Sequence, residues 1–209
     1  MPSLGRAERR VAEVIAGSSV PEDPAHSRNT LEWLLKLDPK ADPALRIAAL
    51  SHDIERAVEA RKVRRAEFPE YGAFKAAHAR NSAAMLGEIL RECGIGDEAL
   101  TQEIQRLVCL HEVGGDPRSD LLKDADSLSY FDVNLPLYFE RNGWQETHRR
   151  CVWGYRRLSE RARSMAAGFP WRGRELDDLM DGAIREAGVG VTTPASPPEA
   201  PPPRPAIGR

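Results

Sequence analysis

The chain has 209 residues, of which 41% are hydrophobic and 30% charged, and its formal net charge is -2. This length predicts one domain that buries a core without disulfide or metal cross-links. The balanced charge argues against a strongly basic nucleic-acid-binding protein, and we expect no nucleic-acid partner. No window holds the roughly 20 apolar residues that a membrane helix needs, so we expect no membrane partner either.

The N-terminal segment has charged residues throughout its apolar run, which is not typical of a signal peptide. We therefore expect a cytoplasmic protein. The three cysteines, Cys93, Cys109 and Cys151, are isolated and form no CxxC pair. They are predicted to be small buried hydrophobic residues rather than disulfide partners or zinc ligands.

Hydrophobic periodicity predicts an all-α fold for residues 1–190, a single domain. One helix is predicted to begin at Asp42-Pro43, because aspartate is a good N-cap and proline fits the first helical position. The other predicted helical stretches cover residues 22–37, 74–90, 97–111, 119–131, 144–166 and 174–187.

The C-terminal segment 191–209 differs in composition, since it is dominated by proline and has no large aromatic residue. Such a segment cannot bury enough surface to offset its ordering entropy, so it is predicted to be a disordered, partly polyproline tail. A solubilising role is favoured over docking of its PPPRP motif to an SH3-like groove.

Histidines on apolar helix faces are the most informative feature of the sequence. His52 continues the apolar stripe of the predicted helix at residue 42 and is followed by Asp53, about 100° further around the helix. A buried aspartate is costly unless it is paired or binds a metal. Alone, a His-Asp pair is more often a surface pair.

The spacing strengthens the metal interpretation. His26 and His78 each lie 26 residues from His52, on the preceding and the following helix. His111 ends the next helix, and Asp126 lies among apolar residues of the one after that. Inward-facing polar groups on successive helices of a bundle can converge on one cofactor. Imidazoles with carboxylates suit a divalent transition metal: Mn, Fe, Co, Ni or Zn.

The order H…HD…H…H…D resembles the HD-domain superfamily of metal-dependent phosphohydrolases. The matching segments are LSHDIER around the central pair and DLLKDADSLSYF around the last aspartate, with HSRNTLEWLL, KAAHARNSAAML and LVCLHEVGG around the other histidines. The resemblance covers about residues 24–135 and points to a bacterial branch. It implies an HD-domain-like helical bundle with a metal centre at its core, followed by a helical extension at about 144–187.

The resemblance also implies the roles of the site residues. One ion would be held by two histidines and two aspartates: His26, His52, Asp53 and Asp126. A second ion would bind His78 and His111, with Asp53 bridging. We favour two ions; with only one, His78 and His111 would contact the substrate phosphate or act as general acid.

The expected reaction is attack of metal-activated water on the phosphorus of a phosphate ester, which needs cations near the metal. Arg56, one turn beyond the His-Asp pair, and Lys75, one turn before His78, are the best candidates for phosphate binding, with Arg80 just beyond His78. A solvated charged face is the alternative for most basic residues here. In some family branches an acid near Glu55 relays protons, and a surface ion pair is an equal alternative.

The predicted catalytic residues are therefore Asp53, Glu55, His78 and His111. Asp124 is expected to orient a ligand or form a salt bridge, and His148 to lie outside the site. The aromatic cluster after Asp126 is expected mainly to pack in the core, although it could wall a pocket and stack on a nucleobase. Its members are Tyr130, Phe131, Tyr138, Phe139 and Trp144.

Three functions compete on this sequence. The leading hypothesis is hydrolysis of a phosphate ester of a small molecule or nucleotide. The same ligand set also occurs in HD-fold di-iron oxygenases, and a non-catalytic metal- or nucleotide-sensing module is the third alternative. No GYP element follows His111, which reads HEVGGDPRSD, so cyclic dinucleotide hydrolysis is not expected. A homo-oligomer is left open.

Overall fold

The computed structural model describes residues 2–171 and 173–189, and every regular element within these ranges is helical, as predicted. The predicted tail at 191–209 lies outside the described residues. The α-helices are α1 (Pro2–Ala16), α2 (Asp23–Leu37), α3 (Pro43–Ser51), α4 (Tyr71–Glu92), α5 (Glu98–Leu110), α6 (Pro117–Ser129), α7 (Leu135–Arg157), α8 (Glu160–Ala166) and α9 (Arg174–Val189).

Shorter helical segments complete the described chain. Three turns of 3-10 helix lie between α3 and α4, at Ile54–Ala57, Glu59–Arg61 and Arg65–Glu67. A π-helical segment, Tyr130–Asn134, joins α6 to α7. Among the described residues, no helix combines the length and the hydrophobicity needed to cross a membrane.

Local sequence signals explain where several helices begin. Asp42 caps α3 by accepting hydrogen bonds from the amides of Ala44 and Leu45, as the Asp-Pro pair predicted. Asp116 does the same for α6 in a capping box with Ser119, so this helix begins at Pro117, two residues before the predicted start. The same Asp-Pro chemistry thus starts both helices.

The C-terminal half differs from the predicted continuous stretch at 144–166. Helix α7 extends from Leu135 to Arg157, but Gly143, with φ 72° and ψ −178°, interrupts it directly before the predicted start at Trp144. A new helix, α8, follows Ser159, whose hydroxyl accepts a hydrogen bond from the amide of Ala162. This N-cap competes with helix continuation, because Ser159 takes an extended conformation with ψ near 162°.

The hydrophobic core runs through both halves of the described chain. Leu34, Ile47, Leu86 and Leu128 are fully buried between α2, α3, α4 and α6. Helix α9 packs on α7, burying Leu179 completely. Cys93 and Cys151 are buried and Cys109 is half-buried, all three as free thiols, in agreement with their predicted role as small hydrophobic residues.

Packing around α2 positions the candidate site. Helix α2 lies against α3 and α6, while α3 and α4 both pack on α5. The first turn of α2, the middle of α4, the last turn of α6 and the residues that follow α3 and α5 therefore meet in one region. These positions carry the histidines and aspartates that the sequence singled out.

Candidate metal centre

Two of the four clustered histidines immediately follow the ends of helices. His52 follows α3 and His111 follows α5, and both are buried. Each ring donates its Nδ1–H to the carbonyl oxygen three residues earlier, at 3.0 Å for Ala49 and 2.6 Å for Val108. A carbonyl only accepts hydrogen bonds, so in the neutral imidazole, the form that binds a metal, the proton resides on Nδ1 and Nε2 keeps its lone pair.

The position of Asp53 differs from the prediction. The sequence placed it on the same helix as His52, but α3 ends at Ser51, and Asp53 has φ −105° and ψ 16° in the following turn. The turn carries its carboxylate away from the helix axis and between His78 and Arg56, at 2.7 and 2.8 Å.

His26 and His78 are oriented by side chains from other elements. Nδ1 of His26 lies 2.9 Å from the hydroxyl of Ser129, which itself donates to the His26 carbonyl and so accepts from the ring. Nδ1 of His78 donates to the carboxylate of Glu55 at 2.6 Å. Both rings therefore also present an Nε2 lone pair.

The four Nε2 atoms converge with two carboxylates. The Nε2 atoms of His26 and His52 are 3.2 Å apart, and Oδ1 of Asp126 lies 3.1 and 3.3 Å from them. Oδ1 of Asp53 lies 2.7 Å from Nε2 of His78 and 3.8 Å from Nε2 of His111. All six predicted ligands thus lie in one cluster.

This donor set fits a metal ion. Lone pairs face lone pairs at hydrogen-bonding distance, and the buried Nε2 of His111 has no hydrogen-bond partner among the described residues. A buried polar atom without a partner is costly, and a cation would satisfy the whole group. Imidazole nitrogens with carboxylate oxygens are ligands that first-row transition metals prefer.

The shifted pKa values of the cluster also indicate that it requires positive charge. Burial alone would lower the pKa of His52, but the carboxylates of Asp53 and Asp126 raise it to about 9. Burial would raise the pKa of Asp53 and of Asp126, yet the neighbouring imidazoles hold both well below the usual range. Protons or a metal ion can supply the positive charge that the two carboxylates require.

The geometry divides the cluster into two groups that share one residue. In each group, the ligand atoms of three residues lie within 4.8 Å of one another: His26, His52 and Asp53 in one, and Asp53, His78 and His111 in the other. Asp53 belongs to both, which is the position that a bridging carboxylate requires. Asp126 adjoins the first group through its contacts with His26 and His52.

Glu55 does not lie on a helix surface, so the alternative of an exposed ion pair is wrong. It is 1% exposed, and besides His78 it accepts hydrogen bonds from the Val63 amide and the Asn81 side chain, at 2.7 and 3.2 Å. With both oxygens engaged, Glu55 is built to hold the His78 ring in place.

Asp124, the other carboxylate of this region, serves the fold. It is buried and accepts a hydrogen bond from the Ser159 amide at 2.9 Å, which ties α6 to the start of α8. His148 lies outside the cluster, 3.8 Å from Glu186, as expected.

The three predicted phosphate-binding residues lie in different surroundings. Arg56 pairs with Asp53 and with Asp23, the latter at 3.1 Å, and Lys75 pairs with Glu112. Both line a cavity beside the cluster. Arg80 is exposed and is not among the lining residues, because two residues along α4 from His78 correspond to about 200° around the helix. The structure gives Arg80 no place in this cavity.

The cavity leaves about 60 Å³ for the centres of water-sized molecules, and His26, Asp53 and Asp126 line it. Two more cations, Arg150 and Arg157 of α7, also line it, and sequence reasoning missed both. Their spacing with Trp153 places all three on one face of α7, which is the signal that could have revealed them.

The predicted aromatic cluster is divided between three places. Tyr130 and Phe131 line the cavity, and Tyr138 donates a hydrogen bond to Glu146 at 3.2 Å. Phe139 packs edge-on against Trp144, which is 42% exposed. Only the first two could contact a ligand in this cavity.

Comparison with known proteins adds one family. The model of a family described as a domain of unknown function, DUF4202, matches residues 7–178, which include every residue of the cluster and the whole of α7. No curated protein and no solved structure matched the chain. Because the match extends over most of its length, the chain belongs to the DUF4202 family.

Proposed function

We propose that this protein is a metal-dependent phosphohydrolase that hydrolyses a phosphate ester of a small molecule or nucleotide. The convergence of four Nε2 lone pairs and two carboxylates beside a cation-lined cavity carries this proposal. The resemblance to the HD-domain superfamily supports it, since the order of ligands along the chain is the order of that superfamily.

The residues fit one or two divalent transition-metal ions. His26, His52, Asp53 and Asp126 would hold one, and Asp53, His78 and His111 the other. When bound, such ions polarise phosphoryl oxygens and bring the pKa of water close to neutrality.

The charge of the cavity favours an anionic substrate. Its lining has four cationic side chains, Arg56, Lys75, Arg150 and Arg157, and three carboxylates, Asp53, Glu112 and Asp126. The lining is therefore already positive by one charge, and each divalent ion adds two more. Phosphoryl transfer depends mainly on positioning and charge neutralisation, which this lining supplies.

Glu112 holds two of the cations of the cavity in place. Its carboxylate pairs with Lys75, and with Arg157 at 3.5 Å, while Nε2 of His111 lies 3.2 Å away. One buried carboxylate thus holds a lysine from α4 and an arginine from α7 at the same wall. If a single ion binds, the free Nε2 of His111 can instead carry a proton to the leaving group.

The proposal is tested by metal analysis of protein purified without chelator, comparing the wild type with Asp53→Ala and with His148→Ala as the control. We expect about two equivalents in the wild type and in the control, and nearly none in Asp53→Ala, because Asp53 belongs to both groups. Wild-type protein, reconstituted with each candidate metal, is then screened for phosphate release from a panel of phosphate esters.

Two outcomes would contradict the proposal. Bound iron with oxygen uptake and no phosphate release would favour the di-iron oxygenase. Absence of metal under every reconstitution condition would leave a helical binding module.

A further inference from the structure

Arg150 differs from the other cations of the cavity because it has no acidic partner. Arg56, Lys75 and Arg157 each pair with a carboxylate. Among the described residues, no carboxylate oxygen lies within 4.0 Å of the Arg150 guanidinium, and its one hydrogen bond goes to the Tyr71 hydroxyl at 3.4 Å. The Glu112 carboxylate stabilises the charge of Arg150 only from beyond contact distance, so the guanidinium has no anionic hydrogen-bond partner and can bind an anion supplied from outside.

Aromatic rings hold this guanidinium in place. Its central carbon lies 4.7 Å from the centre of the Trp153 ring and 5.4 Å from that of Tyr130. Arg157 covers the same Trp153 ring at 4.3 Å. The rings orient Arg150 without neutralising it, which leaves its N–H groups for a ligand.

The π-helical segment supplies two further polar atoms without partners. Asn134 is 7% exposed and lines the cavity, and its Oδ1 has no hydrogen-bond partner among the described residues. The Tyr130 hydroxyl lines the same cavity and is likewise unpartnered within the described part of the chain. Burial raises the pKa of Tyr130 well above its usual value, so this phenol keeps a proton to donate. Segments of π-helix are frequent at functional sites.

The chemistry of these three groups defines what they can bind. Arg150 requires an anion, Oδ1 of Asn134 requires a hydrogen-bond donor, and the Tyr130 hydroxyl can donate or accept. A phosphorylated compound with hydroxyl groups satisfies all three. A nucleobase is less favoured as an occupant, since Arg150 already lies against the rings of Trp153 and Tyr130, Arg157 also lies against Trp153, and Phe131 is 1% exposed and packed on Trp171.

We propose that Arg150, Tyr130 and Asn134 form a substrate-recognition subsite for a sugar or polyol phosphate, in which Arg150 binds phosphoryl oxygens while Tyr130 and Asn134 bind hydroxyl groups of the leaving group. This inference rests on the proposed function, because it assigns the substrate class of the same cavity. It assigns a substrate-binding role to α7, which carries Arg150, and to the π-helical segment before it.

The test measures binding rather than turnover. The probes are inorganic phosphate and the phosphonate analogues of glycerol phosphate, phenyl phosphate and adenosine monophosphate, in which carbon replaces the ester oxygen so that no hydrolysis occurs. Calorimetry with the metal-loaded full chain compares the wild type with Arg150→Gln and Asn134→Leu. Arg149→Gln is the matched control, since Arg149 precedes Arg150 on α7, is exposed and pairs with Glu146.

We expect the wild type to bind the glycerol analogue more tightly than the phenyl or adenosine analogue. Arg150→Gln should weaken the binding of every probe by about tenfold or more, as for loss of a charged hydrogen bond. Asn134→Leu should weaken the glycerol analogue by about tenfold and leave the phenyl analogue unchanged. The control should bind as the wild type does.

Thermal unfolding of the ligand-free chain separates recognition from a structural role. Asn134→Leu should not lower the Tm, because Oδ1 of Asn134 has no hydrogen-bond partner among the described residues. Arg150→Gln should lower it only slightly, by what the contacts of the guanidinium with Tyr71, Trp153 and Tyr130 contribute. A lowered Tm with unchanged affinities would assign these residues to the fold and overturn the inference. Tighter binding of the adenosine analogue, or no binding of any probe by the wild type, would also overturn it. Failure of the proposed function would give a different result. The probes would still bind and Arg150→Gln would still weaken their binding, but no ester would release phosphate.

Discussion

Two clusters of charged side chains link the helices of this protein. They differ in whether each cluster contains enough hydrogen-bond donors for its acceptors. On the surface, Arg118 binds the carboxylates of Asp42 and Glu103, and Arg106 binds those of Glu103 and Asp116. Every carboxylate of this surface network faces an arginine. The buried histidine cluster has six converging acceptors and, within the described chain, only one arginine, Arg56, in contact with any of them.

The difference lies in the balance of donors and acceptors. Two arginines carry enough N–H groups for three carboxylates, so the surface network is complete as it stands. In the buried cluster, each imidazole has already used its Nδ1–H on a fixed acceptor and offers only a lone pair. Acidic residues in proximity therefore do not indicate a metal site, whereas buried acceptors without donors do.

The largest expected effect comes from substitutions that remove one histidine from one of the two groups of the buried cluster. His26→Ala and His111→Ala each remove a ligand from one group only, so each should lose about one equivalent of metal and retain the other. Loss of metal assistance is worth several kcal/mol in the transition state, so phosphate release should fall by about a thousandfold or more in both. Metal content is measured by atomic spectroscopy, and rates are measured with reconstituted protein.

His148→Ala is the control, because this histidine lies outside the cluster. If either variant lost both ions, the cluster would be one cooperative site rather than two groups. Full metal content in both variants would show that the ligands are wrongly assigned.

A smaller effect is expected from Glu55→Gln, which disturbs the acceptor that holds His78. The amide keeps one oxygen but places N–H donors against the Val63 amide or the Asn81 side chain, both of which donate to Glu55. Loss of such a supporting hydrogen bond typically costs 10- to 100-fold in metal affinity, so we expect about that loss for one ion. Competition with a chromophoric chelator measures it.

Glu59→Gln is the matched control for this variant. Glu59 is an exposed carboxylate four residues later that pairs with Arg64 at 2.6 Å. Equal metal affinities in Glu55→Gln and Glu59→Gln would contradict the positioning role of Glu55.

The smallest effect is expected in the surface network, and it should depend on pH. A hydrogen bond from Arg118 lowers the pKa of Asp42 against the opposing effect of burial, and one from Arg106 lowers the pKa of Glu103. Carboxylates with lowered pKa values stabilise the fold above their unfolded pKa near 4, and this contribution is lost as the pH falls through the folded pKa. Arg118→Gln should make that acid-induced loss of stability shallower.

Urea unfolding of the metal-free protein between about pH 6 and pH 2 measures this difference. At neutral pH the variant should lose less than about 1 kcal/mol, because both partners are partly exposed and solvent screens the pair. Metal content should not change. A loss of metal in Arg118→Gln would contradict the separation of the two clusters.

Helical periodicity and capping residues predicted the all-α fold because they act within one or two turns of chain. The Asp-Pro pair at residue 42 starts α3 through hydrogen bonds from the amides of Ala44 and Leu45 to Asp42. The end of α7 was missed because the break depends on Ser159 and on Asp124, which is 35 residues earlier in the chain and binds the Ser159 amide.

The six side chains of the cluster were predictable because their residue types and their order along the chain identify them. Placing Arg80 in the site failed because it depended on closeness in sequence, while its side of α4 faces solvent. Arg150 was missed for the opposite reason, since it lies 39 residues after His111 and reaches the cavity only through the packing of α7.

By itself, the sequence determined the helical fold class and the identity of six converging side chains that could hold a metal, because both follow from periodicity and from which side chains are costly to bury unpaired. Only the tertiary structure decided where the imidazole protons lie. Ala49 and Val108 are local acceptors, but Ser129 and Glu55 reach their histidines across the fold. Tertiary structure also decided that, among the described residues, Arg150 has no carboxylate in contact, since a pairing distance between helices is set by packing over the whole core.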